Sequence, residues 1–178
     1  MLAWPASETS WSGVVTYVVD GDTVRIRPPA GGKPVSIRIE GIDAPEICQS
    51  GGTNARDALS RQILNRQVDV HSKAHDDYGR TVARIVLKGK DQGKWMVENG
   101  LAWSYRYRKN PGPYAAQQRQ AEQAGLGMFS PVYAAAPIYP GKFRKQHGSC
   151  YFKSIPTRIC SCISNLKSIA SVTSLYLI

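Results

Sequence analysis

The stretch IRIEGIDAPE, Ile37 to Glu46, carries Arg38, Glu40, Asp43 and Glu46 within ten positions. Such charges are either the solvated face of a strand or one half of a catalytic site. An arginine fork stays protonated and can donate two parallel bonds to one phosphate. Carboxylates are hard oxygen donors for a cation, or bases toward water. Together they suit attack on a phosphate diester, an anion that repels hydroxide and gathers charge on its equatorial oxygens as attack proceeds. Groups of the same kind recur elsewhere: Asp20 and Asp22 in DGDT, Arg80 in DDYGR, and YRYRKN, where Tyr105 and Tyr107 alternate with Arg106, Arg108 and Lys109. Aromatic and cationic side chains in alternation suit base stacking and backbone contact along a single strand. Taken singly, each group also has a plain structural use in a hairpin turn, a polar strand face or a barrel rim.

The elements that must position these residues can be read from periodicity. Val14 to Val19 and Val24 to Arg27 flank Asp20-Gly21, a tight-turn dipeptide, and predict a hairpin. After the breaker-rich PPAGGKP, Val35, Ile37 and Ile39 share one face of a third strand and Arg38 lies on the other. Thr53 is placed to cap a helix through about Arg66, with Ala55, Ala58, Leu59 and Ile63 at helical spacing. Strands follow over 68–72 and 81–87, then helices from Asp91 to Gly100 and from Pro113 to near Gly125. This order predicts a mainly β fold with α elements: a five-stranded OB-type barrel with three helices.

Residues 1–11, which lack the basic n-region of a whole signal peptide, are expected to be a stub compatible with the remnant of one, 12–133 the folded domain, and 134–178 a basic, Ser- and Cys-containing tail expected to be poorly ordered. The formal net charge is +10, but residues 139–178 hold six basic and no acidic side chains, so most of the excess lies in the tail. The charge favours a polyanionic partner without separating nucleic acid from a membrane surface. No uncharged apolar run is long enough to span a membrane.

With these pieces in order, the chain resembles the staphylococcal nuclease (thermonuclease) family. The matching segments are VVDGDTVRI at 18–26, IRIEGIDAPE at 37–46, DDYGRTVA at 76–83, MVENGLAW at 96–103 and the helix before GLGMFS at 125–130. The resemblance implies an OB-fold endonuclease that uses Ca²⁺ to hydrolyse DNA and RNA and leaves 3′-phosphate ends. Carried over by position, Asp22 and Asp43 are the calcium carboxylates, Ala44 supplies a backbone carbonyl to the metal, Arg38 and Arg80 bind phosphate, and Glu46 is the general base. Tyr78, Tyr105 and Tyr107 match positions lining the nucleotide pocket. A monomer without stable membrane insertion, secreted or periplasmic with a cytoplasmic alternative, is the corresponding expectation.

The sequence departs from the family in places. Ala44 stands where the staphylococcal type has Thr, a tolerable change at a carbonyl ligand. Asp77 stands where that type has a lysine near a substrate phosphate, which bears on the preferred cleavage position. GMFS replaces Gly-Leu-Trp, and the region after it has diverged. The cysteines at 48, 150, 160 and 162 fit free thiols or a disulfide better than zinc; His147 with the last three makes only a weak metal pattern.

Overall fold

In the computed structural model, residues 9–132, 136–148 and 150 are described. Five strands close into a barrel: β1 (Thr9–Val18), β2 (Thr23–Arg27), β3 (Val35–Ile39), β5 (Gln67–His75) and β6 (Thr81–Leu87). Their order is β3-β2-β1-β5-β6, antiparallel throughout, and a parallel β3–β6 pairing closes the ring. Closure removes the free edges that an open sheet would expose. Short β4 (Ile42–Asp43) pairs with β8 (Trp103–Ser104), and β7 (Lys90–Asp91) hooks back onto β6.

Alternation along the strands puts Val15, Ile26, Ile37, Ile39, Val70 and Ile85 inside, each at 1% exposure or less. Leu59 and Ile63 of α1 (Gly52–Ile63) and Met96 of α2 (Gln92–Glu98) are buried in the same cluster. Burying each such aliphatic side chain contributes about 1.5–3 kcal/mol, so barrel and helices hold together as one core. The remaining helices are α3 (Ala115–Gln123) and α4 (Pro140–His147).

The OB-type barrel expected from the sequence is present, with four α-helices among the described residues in place of three. Some boundaries differ for identifiable reasons. Thr53 does not cap α1: the N-cap is Gly51 at φ 86°, with no side-chain cap. The chain instead enters the helix through a turn in which the Gly52 amide donates to the Gln49 carbonyl. β5 continues past residue 72 to His75 because its polar end still finds partners in β6, Ala74 opposite Val82 and His75 opposite Thr81, beyond a bulge.

The fourth helix lies within the segment expected to form a loose tail. Pro140 at its first turn starts it, Phe143 buries its apolar side, and Arg144, Lys145 and His147 fall in its last turn, where cations are favourable. The stub up to residue 8, residue 149 and the rest of the tail from 151, with Cys160 and Cys162, lie outside the described residues.

Candidate active site

Strand ends at one mouth of the barrel bring the expected residues together. Asp22 sits at the turn entering β2, Arg38 near the end of β3, Asp43 in β4 and Arg80 just before β6. Register does the positioning. Arg38 lies opposite Thr23 in β2 and beside Val82 in β6, and the Ile39 amide donates to the Asp22 carbonyl at 2.8 Å. A methyl group on Gly21 would stand 2.6 Å from the Ala44 Cβ and 2.8 Å from the Ala55 Cβ. Only glycine lets the β1–β2 turn press against the Asp43-Ala44 loop, and that pressure brings Asp22 to Asp43.

Arg38 joins the two carboxylates. Its Nη2 lies 3.1 Å from Asp22 Oδ2 and 3.3 Å from Asp43 Oδ1, while Nη1 donates to the Ile39 carbonyl at 2.9 Å. Asp22 Oδ2 also accepts from the Ala44 amide at 2.9 Å, and its Oδ1 from the Thr23 hydroxyl at 3.1 Å. The Asp43 side chain is 1% exposed. Burial pushes its carboxyl up from the ordinary range and Asp22 adds to the rise, while Arg144 and Arg38 pull the other way. Asp20, whose Oδ1 accepts from the Asp22 amide at 2.9 Å, is pushed up to about 7 by burial and by Asp22 beside it. Sequence reading gave Asp20 a turn role only; the Asp-Gly-Asp spacing was its one signal.

Next to this cluster, Arg80 is held by Asp76. Its Nε lies 2.7 Å from Asp76 Oδ2, its amide donates to Oδ1 at 2.9 Å, and its Nη1 donates to the Thr23 hydroxyl at 3.2 Å. Partial burial would raise the Asp76 carboxyl, but the Arg80 bonds and charge and the Tyr78 amide hold it below its usual value. A carboxyl lowered on folding stabilises the native state above the unfolded value near 4, and that contribution disappears as pH falls through the lower folded value. Asp76→Asn is therefore expected to melt below wild type at pH 5, with the gap closing in thermal scans at progressively lower pH. Cleavage should fall about 10- to 100-fold, since a charge-assisted bond holding Arg80 is worth about 1.5–3 kcal/mol.

Glu46 lies on the loop after β4. Its amide donates to Gln49 Oε1 at 3.2 Å and its carbonyl accepts from the Gln49 amide at 2.8 Å. The third cation at its side, Arg144 of α4, was not expected. Its Nη1 lies 2.7 Å from Glu46 Oε1, and its two Nη atoms lie 3.3 Å from the two oxygens of Asp43. Burial works against its charge, yet Glu46 and Asp43 outweigh that and hold the guanidinium protonated above its ordinary value. Pro140, flanked by the aromatic residues Tyr139 and Phe143, was the signal for a docked helix in KFRK.

Cys150, just past α4, forms a disulfide with Cys48, 102 residues away, so neither is a zinc ligand. His147 packs against the Phe143 ring, centroids 4.7 Å apart. Tyr78 is 80% exposed with the Arg80 guanidinium 5.4 Å from its ring centre; Tyr107 is exposed with Arg108 similarly placed, and Tyr105 is exposed as well. Asp77 is exposed on the same turn as Tyr78.

The comparisons fit this geometry. The staphylococcal nuclease homologue model matches residues 36–130. An "uncharacterized endonuclease" of Haemophilus influenzae is 30% identical over 132 residues, 74% of this chain and 72% of the relative. Micrococcal nuclease of Shigella flexneri is 31% identical over 136 residues, covering 70% and 77%. An "uncharacterized endonuclease" of Escherichia coli O157:H7 is 30% identical over 145 residues, covering 81% and 92%. The chain belongs to the staphylococcal nuclease family. As a family member it is a nuclease, a hydrolase of nucleic-acid phosphodiester bonds. No helix among the described residues is long and apolar enough to cross a membrane.

A divalent ion fits part of this donor set. Asp22 and Asp43 offer buried hard oxygens, and burial together with the Asp43 charge drives the nearby Tyr139 phenol upward. Among the described residues no group of three or more His, Cys, Asp or Glu could hold a metal, so two carboxylates would need carbonyls and waters to complete the shell.

Proposed function

We propose that this nuclease is a Ca²⁺-dependent endonuclease acting on DNA and RNA and leaving 3′-phosphate ends. The observation that carries the reading is the pairing of buried Asp22 and Asp43 with Arg38 at one barrel mouth, with Arg80 and Glu46 on its walls. Asp22, Asp43 and the Ala44 carbonyl would hold the ion, and calcium suits an all-oxygen set with flexible coordination. When bound, the ion supplies Lewis-acid neutralisation of phosphate charge.

The chain's own groups account for the rest. Arg38 and Arg80 donate to the non-bridging phosphate oxygens, where charge grows during attack, from positions fixed by Ile39, Thr23 and Asp76. Glu46 takes the proton of the attacking water on Oε2, the oxygen not paired with Arg144. Tyr78, Tyr105 and Tyr107 offer exposed rings to unstacked bases, so single-stranded or frayed substrate suits the rim. The protein acts as a monomer. A secreted or periplasmic location is favoured by the Cys48–Cys150 disulfide, since such bonds persist in oxidising compartments.

Incubation with single-stranded DNA and with RNA, with calcium and with chelator, tests the reading when product ends are mapped. Calcium-dependent fragments ending in 3′-phosphate are expected from both. Tight binding without calcium-dependent cleavage would mark a non-catalytic binding barrel instead.

A further inference from the structure

We propose that Arg144, held in place by the Cys48–Cys150 disulfide, is a positioning residue for Glu46, so that cleavage depends on the oxidised link between the C-terminal arm and the Glu46 loop. The inference rests on the nuclease reading of the site and adds to it a residue and a dependence.

Three observations converge. First, the Arg144 fork is fixed by the buried Asp43, one Nη against each carboxylate oxygen, and the same Nη1 reaches Glu46 Oε1 at 2.7 Å. A guanidinium held this way is a rigid bracket: it fixes one oxygen of Glu46, while Oε2 has no partner among the described residues and stays available to water. Second, the arm is tied to the loop it serves. The Gln49 side chain accepts from the Glu46 amide and donates to the Ile138 carbonyl just before α4, and Cys48, two residues past Glu46, is bonded to Cys150 just after α4. Third, α4 itself is short and polar, with Pro140 and Phe143 its buried residues and the Tyr139 ring edge-on to Trp103 at 5.8 Å. An eight-residue helix with so small an apolar face needs added tethers to hold one guanidinium in place.

Displacing a carboxylate base by about 1 Å costs roughly 100-fold in rate. Steady-state cleavage of single-stranded DNA with calcium is to be compared for wild type, Arg144→Ala, Arg144→Lys, Cys48→Ser/Cys150→Ser, and the variant combining Arg144→Ala with both serines, each checked for folding by circular dichroism. Arg144→Ala should lose roughly 10- to 100-fold in kcat with KM nearly unchanged; Arg144→Lys should recover part of the loss, and added millimolar guanidinium should restore Arg144→Ala. The serine pair should show a loss of similar size, and so should wild type under reductant. The combined variant should be no slower than Arg144→Ala, because both changes remove one bracket.

An unchanged or faster Arg144→Ala would overturn the inference, the faster case marking Arg144 as a competitor for Asp43. A loss that appears only in KM, or that guanidinium cannot restore, would also overturn it. A fully active serine pair would remove the dependence on the disulfide. Wild type lacking calcium-dependent cleavage would instead sink the proposed function, and this inference with it; an active wild type with an indifferent Arg144→Ala sinks this inference alone.

Discussion

Glu46→Gln is expected to slow cleavage by about 10²- to 10⁴-fold while leaving the fold and nucleic-acid affinity intact. The amide is nearly isosteric and can still accept from Arg144, whose Nη1 lies 2.7 Å from Oε1, so the loop should keep its place. What it loses is the capacity to take a proton from water. Because Glu46 lies outside the buried core, no cavity forms and the melting temperature should move little. The check is single-turnover cleavage beside equilibrium binding of the same strand in chelator. A Glu46→Gln protein with wild-type turnover would take Glu46 out of the reaction.

Arg38→Ala should be the second severe loss, about 10²- to 10³-fold in rate, and it should differ from Arg80→Ala in stability. Arg38 spans Asp22 and Asp43, side chains 10% and 1% exposed, and its removal leaves two neighbouring buried carboxylates with less compensation. Breaking a buried ion pair typically costs about 3–5 kcal/mol, a range whose lower end fits here because Arg144 still covers Asp43. Calcium should recover much of that loss by binding the freed carboxylates, which thermal scans with and without calcium would show as an enlarged upward shift. Arg80 pairs with the part-exposed Asp76 at the rim, and Asp76 keeps its bonds from the backbone amides of residues 78 and 80 when the guanidinium is removed, so Arg80→Ala should share the rate loss and destabilise the fold less than Arg38→Ala. Equal destabilisation of both variants would contradict the geometry.

Much of this site was legible in the chain because its parts are local. The five- and three-residue steps from Arg38 to Asp43 to Glu46 follow a strand end into a loop, and alternation in VSIRI and TVARIVL set which side chains face inward. The Asp-Gly turn located Asp22. Long-range pairing was not legible. Arg144 meets Asp43 across 101 positions and Glu46 across 98, and nothing in KFRK announces a buried carboxylate partner. The elevated Asp20 carboxyl depends on burial at the turn, which a hairpin signal does not carry. β1 begins at Thr9, earlier than its apolar alternation suggested, because the polar residues there pair with β5, Thr9 opposite Ser72 and Ser12 opposite Asp69. The N-terminal turn of α1 likewise follows from close packing of Gly52 on the Glu46 carbonyl rather than from a capping side chain.

The barrel mouth has a consistent electrostatic logic: neighbouring buried carboxylates, arginines fixed by backbone and side-chain bonds, and the Glu46 carboxylate with one oxygen anchored by Arg144. The most direct test is cleavage of one defined single-stranded DNA by the wild-type protein, first in chelator and then after calcium is restored, with product ends mapped. The account predicts no cleavage in chelator and, on restoring calcium, fragments carrying 3′-phosphate. Undiminished cleavage in chelator, or restored cleavage that leaves 3′-hydroxyl ends, would contradict it.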